Sequence, residues 1–140
     1  MPAKNQAALD FLLTRRSRPA KTLTTPVPNA EELHVILTAA ARTPDHGKLE
    51  PWRFIVLEKE ALSRLAKDVP ARGAALNIDP EKIEKAIAQF ATADLAVAVI
   101  SSPKPSDKIP AIEQIYSAGA VCNAMVNAAL AAGWGANWLS

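Results

Sequence analysis

The sequence predicts an α+β or α/β fold, a sandwich in which helices flank a small sheet. Two strand-like segments lie between segments with helical periodicity, in the order α-α-β-α-α-β-α. The chain has 140 residues, enough for one hydrophobic core and too few for two ordinary domains, so we predict a single domain over residues 1–140. No residue from Ile115 to Ser140 is charged, and a helix in such a stretch is typically buried on all sides.

Two helices open the chain. Leucines at helical spacing predict the first over about residues 4–15, and three prolines indicate a loop over residues 16–28. Asn29 begins the second helix, because Glu32 follows three residues later in a capping-box pattern. Pro44 ends that helix.

Strands are predicted where aromatic, β-branched or uncharged small residues cluster. A helix is predicted to begin at Asp79, because aspartate followed by proline at Pro80 is a strong helix start. We expect the natural chain to continue beyond residue 140 and to complete the sheet. From residue 52 onward the predicted elements are a strand over 52–57, a helix around 62–69, a helix from Asp79, a strand over 95–100, a long helix over about 111–132 that Gly133 caps, and the approach to another strand over 134–140.

The composition of the chain indicates a globular protein. Hydrophobic residues make up 49% and charged residues 21% of the chain, which is typical of globular proteins and argues against disorder. A net charge of +2 argues against a dedicated nucleic-acid-binding protein. One cysteine cannot form an internal disulfide, and the first residues lack the apolar run of a signal peptide. We therefore expect a cytoplasmic protein that does not bind nucleic acid.

The uncharged stretch raises the question of a membrane helix. Ser117, Asn123 and Asn127 interrupt it, and most of the remainder is alanine, which inserts weakly. We therefore favour a helix buried in a protein core and expect no membrane span. The core that this helix implies exceeds what 140 residues can wrap, which indicates a partner chain.

Several catalytic and ligand-binding motifs are absent from the sequence. His34, His46 and Cys122 have no metal-ligand spacing among them. The sequence contains no G-x-S-x-G elbow. Its five glycines form neither G-x-G-x-x-G nor a P-loop.

A basic cluster follows the first helix and has two interpretations. Cations near a helix C-terminus interact favourably with the helix dipole, which requires no ligand. Alternatively, guanidinium groups bind phosphate through paired hydrogen bonds and a hydroxyl adds another, which makes the segment an anion site. The cluster contains Arg15, Arg16, Ser17, Arg18 and Lys21.

A second polar segment, residues 42–52, precedes the first predicted strand. It carries Arg42 and His46 in a position where functional residues often lie, although an ordinary connecting loop explains it equally well. Asn123 and Asn127 share one face of the long helix, where they either bond to a neighbouring element or face a ligand.

Taken together, these segments resemble the flavin-dependent nitroreductase family, in particular its small branch. Arg-Thr-Pro-Asp-His at 42–46 followed by Pro51-Trp52, at this distance from Arg-Arg-Ser at 15–17, is fairly specific, and the resemblance runs along the whole chain. The other matching segments are Glu113-Gln114, Ser117-Ala-Gly119, Gly133-Trp-Gly135 and Trp138-Leu-Ser140.

The resemblance implies an α+β fold with a small mixed sheet and a long central helix, in an intertwined homodimer that binds two FMN molecules at its interface. NADH or NADPH would reduce the flavin, which would then reduce a nitroaromatic, a quinone or a similar small acceptor. The implied flavin contacts are Arg15, Arg16 and Ser17 from one subunit, Arg42 and His46 from the other, and a third segment of Trp138, Leu139 and Ser140. Relatives often carry a basic residue at the position of Leu139, and the C-terminal part that completes the family's sheet is missing.

The chemistry of a flavin fits the residues present. A phosphate dianion suits an arginine cluster. The cofactor carries the redox chemistry, so the protein needs neither an acid–base pair nor a nucleophile. Two other interpretations remain at this stage. A non-enzymatic flavin- or nucleotide-binding module would share the binding residues, and an anion-binding structural protein would explain only the arginines.

Overall fold

A computed structural model describes residues 3–139 of the chain, and its elements follow the predicted order, which confirms the α+β class. Two short 3₁₀ turns, Ala20–Thr22 and His46–Lys48, lie in the loops. The regular elements are α1 (Gln6–Thr14), α2 (Ala30–Ala40), β1 (Trp52–Glu58), α3 (Lys59–Ala75), α4 (Pro80–Thr92), β2 (Leu95–Ser101) and α5 (Ala111–Ala131).

Two helices begin with the caps that the sequence predicts. The Asn29 side chain accepts hydrogen bonds from the amides of Glu31 and Glu32 at 2.9 and 3.0 Å, and the Glu32 carboxylate accepts one from the Asn29 amide at 2.9 Å. In α4 the Asp79 carboxylate accepts from the Glu81 amide at 2.9 Å. Both caps satisfy amides that have no partner within the helix, which is why these boundaries could be read from the sequence.

Helix α3 is longer than the sequence predicts and continues through Pro70 to Ala75. A proline inside a helix removes one backbone hydrogen bond, but α3 packs side by side with α4 and the tertiary contacts outweigh that loss. Gly73 is buried in this contact, and a Cβ on it would lie 2.6 Å from Cδ1 of Ile83. The glycine therefore permits the close approach of the two helices.

The sheet consists of β1 and β2, paired antiparallel from Trp52 opposite Ser101 to Glu58 opposite Leu95. A mixed sheet is expected from the resemblance, but no parallel pair occurs among residues 3–139. Residues 95–100 are half-buried instead of enclosed on both faces, because a strand with one neighbour keeps an unpaired edge.

Residues 134–139, predicted as the approach to another strand, form no strand themselves. Gly133 takes a left-handed conformation with φ of 87°, and the Trp134 amide bonds to the Ala129 carbonyl at 2.9 Å, so α5 ends at the predicted C-cap. Beyond it, the Ala136 carbonyl accepts from the Arg18 amide at 3.0 Å. The backbone here bonds to a loop and not to a strand ladder. Ser140 lies outside the described residues.

Helix α5 is the centre of the core and packs against α2 and β2. The buried Gln114 fastens the loop before α5 to the helix: its amide oxygen accepts from the Lys104 amide at 2.8 Å, and its Nε2 donates to the Lys104 carbonyl at 2.9 Å. The buried hydrophobic residues around α5 include Ile36, Ala40, Ala118, Val121 and Val126.

The expectation that α5 is covered on all sides fails within a single chain. Its first two turns expose Ile112, Ile115 and Tyr116 by 46–69%. The chain exposes 10,001 Å² in total, whereas a compact monomer of this size exposes about 7,000 Å². The single chain therefore leaves about 3,000 Å² more surface in water than its length requires. No helix described over residues 3–139 has both the length and the apolar character needed to cross a bilayer.

Lys59 joins the β1–α3 corner to the α4–β2 corner, and we predict that it stabilises the fold. Its ammonium lies 3.0 Å from the carbonyl oxygens of Ala91 and Ala93 and 3.2 Å from the Asp94 carboxylate, which uses all three donors. Lys59→Met should lower the free energy of unfolding by about 1 kcal/mol, because the half-exposed group loses charged hydrogen bonds. Urea denaturation measures this change.

Lys85→Met is the matched control. Lys85 bonds to Glu81 one helical turn away, so its loss should cost only about 0.2–0.5 kcal/mol. Equal destabilisation by the two variants would show that the corner contact of Lys59 adds nothing.

Candidate functional site

The basic segment, residues 15–18, leaves the end of α1 and crosses to the far end of α5. Arg15 is half-buried, and its Nη1 donates to Oδ1 of Asn127 at 3.2 Å. Arg16, Ser17 and Arg18 are exposed. The Arg15 amide caps α1 by donating to the Phe11 carbonyl at 2.8 Å, while its guanidinium group reaches α5, so its charge also serves a contact beyond its own helix. Of the two alternatives for Asn127, a bond to a neighbouring element or a position facing a ligand, the bond from the Arg15 guanidinium group shows the first.

The terminal segment, residues 134–139, is fastened beside the basic segment. Nδ2 of Asn137 donates to the Arg18 carbonyl at 2.7 Å, next to the bond between the Arg18 amide and Ala136. A Cβ on Gly135 would lie 2.7 Å from Cδ2 of Leu23, so the glycine leaves room for the Leu23 side chain. These bonds join residue 18, which follows the predicted residues 15–17, to residues 136 and 137, which precede the predicted residues 138–139.

Trp138 and Leu139 are each more than half exposed beside the basic segment. Two bonded segments thus carry exposed cationic donors and exposed apolar side chains, a combination that suits a ligand with an anionic end and a flat apolar body. Asn137 was missed by the sequence analysis, because nothing in the local pattern signals a partner 119 residues away.

The histidine loop, residues 42–50, lies against the opposite end of α5. Ser117 donates to the Pro44 carbonyl at 3.0 Å, and the Asp45 carboxylate accepts from the Glu50 amide at 2.6 Å. Gly47 has φ of 73° and contacts Ile109 closely, so a side chain would fit neither its conformation nor its space.

Within this loop, Nδ1 of His46 lies 2.8 Å from Oε2 of Glu113 in the first turn of α5. Arg42 is exposed at the beginning of the loop. Glu113 and Ser117 belong to the segments that carry the family resemblance, which assigns them no role. In the structure, both attach the histidine loop to α5.

Helix α5 keeps the two halves of the predicted site apart. Glu113 holds the histidine loop and Asn127 holds the basic segment, and 14 residues of helix separate their Cα atoms by about 21 Å along the axis. Within one chain, the basic segment and the terminal segment bonded to it therefore lie at the opposite end of α5 from His46.

The basic segment is electrostatically uncompensated. Among the ion pairs of residues 3–139, none includes Arg15, Arg16, Arg18 or Arg42. Exposed cations without acidic neighbours attract anions, and arginine in particular binds phosphate or carboxylate with two hydrogen bonds. Of the two interpretations of the basic cluster, the geometry favours the anion site.

Other candidate sites receive less support. The described residues hold no group of three or more metal-ligating side chains. Cys122 is half-buried in α5, and burial raises the pKa of its thiol, which disfavours the nucleophilic thiolate. An apolar groove of about 290 Å³ lies between α3 and α4, lined by residues such as Leu65, Ile83 and Phe90, and contains none of the predicted site residues.

Comparisons with known proteins converge on one family. Residues 12–140 match the Nitroreductase family. The chain is 40% identical over 134 residues to the "Putative NAD(P)H nitroreductase" of Haemophilus influenzae, with 95% of this chain and 72% of that protein covered. It is 38% identical over 133 residues to the "Putative NAD(P)H nitroreductase YdjA" of Escherichia coli K12, with the same coverage.

Solved structures share the fold. The crystal structure of a nitroreductase-like family protein from Bacillus cereus superposes with a TM-score of 0.75 at 19% identity, covering 100% of this chain and 73% of that one. A BluB-like flavoprotein from Clostridium difficile gives a TM-score of 0.66 at 18% identity, covering 94% and 73%.

Asn137 is predicted to hold the terminal segment on the basic segment. Asn137→Ala removes the bond to the Arg18 carbonyl, so the neighbouring Arg18 amide should exchange its hydrogen about three- to tenfold faster. Amide hydrogen exchange measures this. Asn123→Ala, a substitution at an exposed position of α5, is the control and should leave the Arg18 amide unchanged. Unaltered exchange in Asn137→Ala would show that the two segments are held by other contacts.

Proposed function

Since this chain belongs to the nitroreductase family, we propose that it is an FMN-dependent oxidoreductase working as a homodimer. It takes a hydride from NADH or NADPH and reduces a nitroaromatic, a quinone or a similar small acceptor. The names of its relatives support NAD(P)H as the reductant, and the flavoprotein title of a structural neighbour supports a flavin. We place it in the cytoplasm, where the NAD(P)H pool is available.

One observation carries the proposal: the basic segment, which makes no ion pair among residues 3–139, is bonded through Arg18 to the segment that carries the exposed Trp138 and Leu139. FMN combines a phosphate dianion with a flat, largely apolar ring, and this surface offers donors for the one and apolar contact for the other. Arg15 and Arg16 would hold the phosphate, with Ser17 adding a hydroxyl. When bound, FMN would supply the hydride chemistry, and the protein would bind and orient it and exclude water from it.

A second copy of the chain is the proposed source of the other half of each site. Arg42 and His46 lie at the opposite end of α5 from the basic segment, so one chain does not place both groups around one ligand. A second copy bound against α5 would supply them. Obligate dimers bury about 2,000–5,000 Å² over both partners together, so part of the excess of about 3,000 Å² on each chain is enough for such an interface.

The exposed face of α5 suits such a partner. Ile112, Ile115 and Tyr116 are exposed at its beginning. One turn further along, a Cβ on Gly119 would have no other atom within 4 Å in the single chain. A helix with a glycine between larger apolar side chains lets a second helix approach closely. Two copies packed through this face would bury the apolar residues that one chain leaves in water.

The visible absorption spectrum of the purified protein and its NAD(P)H turnover test the proposal. A flavin spectrum together with NAD(P)H oxidation that depends on an added nitroaromatic or quinone is the expected result. A flavin spectrum without turnover would favour the non-enzymatic flavin-binding module. Protein that neither contains nor takes up FMN would contradict the proposal.

Arg15→Ala is expected to weaken FMN binding about ten- to a hundredfold, because a charged hydrogen bond to phosphate is lost. The FMN affinity of Arg15→Lys should lie between that of the unmodified protein and that of Arg15→Ala. Lysine keeps the positive charge but cannot form the paired hydrogen bonds that a guanidinium group makes to phosphate. Fluorescence titration with FMN measures both. Lys82→Ala, on the surface of α4, is the control and should bind FMN as the unmodified protein does. Equal affinities of Arg15→Ala and Lys82→Ala would remove Arg15 from the site.

Sites shared between two chains predict complementation. In a heterodimer of Arg15→Ala with His46→Ala, one site carries both lesions and the other carries neither, so up to about half of the normal activity should return. The heterodimer is isolated with two different affinity tags and assayed against each mutant homodimer. No recovery in a verified heterodimer would mean that each site is built within one chain.

A further inference from the structure

We infer that Glu113 is a positioning residue that holds the proton of His46 on Nδ1 and leaves Nε2 free to accept a hydrogen bond from the ligand. The inference rests on the proposed function, in which His46 contacts the flavin from one of two subunits. It adds a role for a residue of α5 that does not itself need to reach the cofactor. The observation behind it is the 2.8 Å contact between His46 Nδ1 and Glu113 Oε2.

The backbone of the histidine loop is fixed without this contact. Ser117 holds the Pro44 carbonyl, and the Asp45 carboxylate closes the loop onto the Glu50 amide. Loss of the carboxylate at 113 would therefore leave the loop in place and release only the imidazole ring. The effect of removing the Glu113 carboxylate therefore distinguishes a residue that positions the imidazole ring from one that holds the loop.

The chemistry of the pair sets the position of the proton. An ionised carboxylate can only accept hydrogen bonds, so the imidazole nitrogen facing it must be the donor. In the neutral ring, the other nitrogen is then an acceptor. Glu113 lies in the first turn of α5, where the positive end of the helix dipole favours a negative charge. The ring consequently presents Nε2 to an N–H or O–H donor, of which the flavin ring and ribityl chain carry several.

The contact between His46 and Glu113 orients the imidazole ring and adds little to the stability of the fold. The side chains of His46 and Glu113 are 64% and 47% exposed. Ion pairs this open to solvent contribute little to folding because water and salt screen them. What the contact does determine is the tautomer and the direction of the ring, and both matter to a ligand bonded at Nε2.

The first experiment reads the tautomer directly by ¹H–¹⁵N correlation NMR of the imidazole rings at about pH 9, where histidines are neutral. The chain has two histidines, and the exposed His34 on α2 is an internal reference. We expect the Nδ1–H form at His46 in the unmodified protein. Glu113→Ala should make the His46 signals match those of His34, while Glu113→Gln should keep the Nδ1–H form because its amide oxygen still accepts.

The control removes a comparable carboxylate elsewhere. Glu81 lies in the first turn of α4 and pairs with Lys85, so Glu81→Ala takes away a first-turn charge without touching the histidine loop. It should leave the His46 signals unchanged. The same tautomer at His46 in the unmodified protein and in Glu113→Ala would overturn the inference.

The second experiment is a double-mutant cycle on FMN affinity. Glu113→Ala should weaken FMN binding about three- to tenfold, the effect of one hydrogen bond, and should have no effect when His46 is already replaced by alanine. An equal loss in both backgrounds would show that Glu113 does not act through His46. Unmodified protein that binds no FMN would contradict the proposed function, and the tautomer measurement would still decide the contact between Glu113 and His46.

Discussion

Helix α5 is a rigid spacer, and the arrangement of the candidate site depends on its length. The few polar side chains on this otherwise apolar helix are used at its ends. Glu113, Gln114 and Ser117 bind the loops packed against its beginning, and Asn127 binds the basic segment near its end. Because a helix does not shorten, the two groups stay about 21 Å apart along the axis within one chain. In the proposed homodimer, a site that uses both would draw them from two copies.

The same helix explains why the surface of the single chain is so large. A small-residue helix with an apolar character on most of its face needs cover on every side, and α2 and β2 cover only part of it. The exposed face of α5 is one part of the surplus of about 3,000 Å², to which exposed apolar residues outside α5 also contribute. Assembly and site formation are therefore one process in the proposed enzyme, since the surface that a partner would cover lies beside the residues it would complete.

In the proposed enzyme, the candidate site would bind and orient the cofactor, and the cofactor would supply the bond-making chemistry. Arginines without acidic neighbours suit a phosphate, and exposed Trp138 and Leu139 suit an aromatic ring. No metal-ligating cluster occurs among residues 3–139, and the half-buried Cys122 has a thiol whose pKa burial raises. This distribution of tasks is what a redox-cofactor enzyme requires. In the proposed enzyme, specificity for the ligand depends on the orientation of side chains such as that of His46.

The sequence by itself determined the element order, the caps at Asn29 and Asp79 and the end of α5 at Gly133, because each depends on residues within one helical turn. It also identified the basic segment and the histidine loop by residue type. Only the tertiary structure decided that residues 134–139 lie on the basic segment instead of forming a strand, and that α5 separates His46 from Arg15. Those outcomes rest on contacts between residues 67 to 119 positions apart, and no local pattern encodes which distant partner a polar side chain will meet.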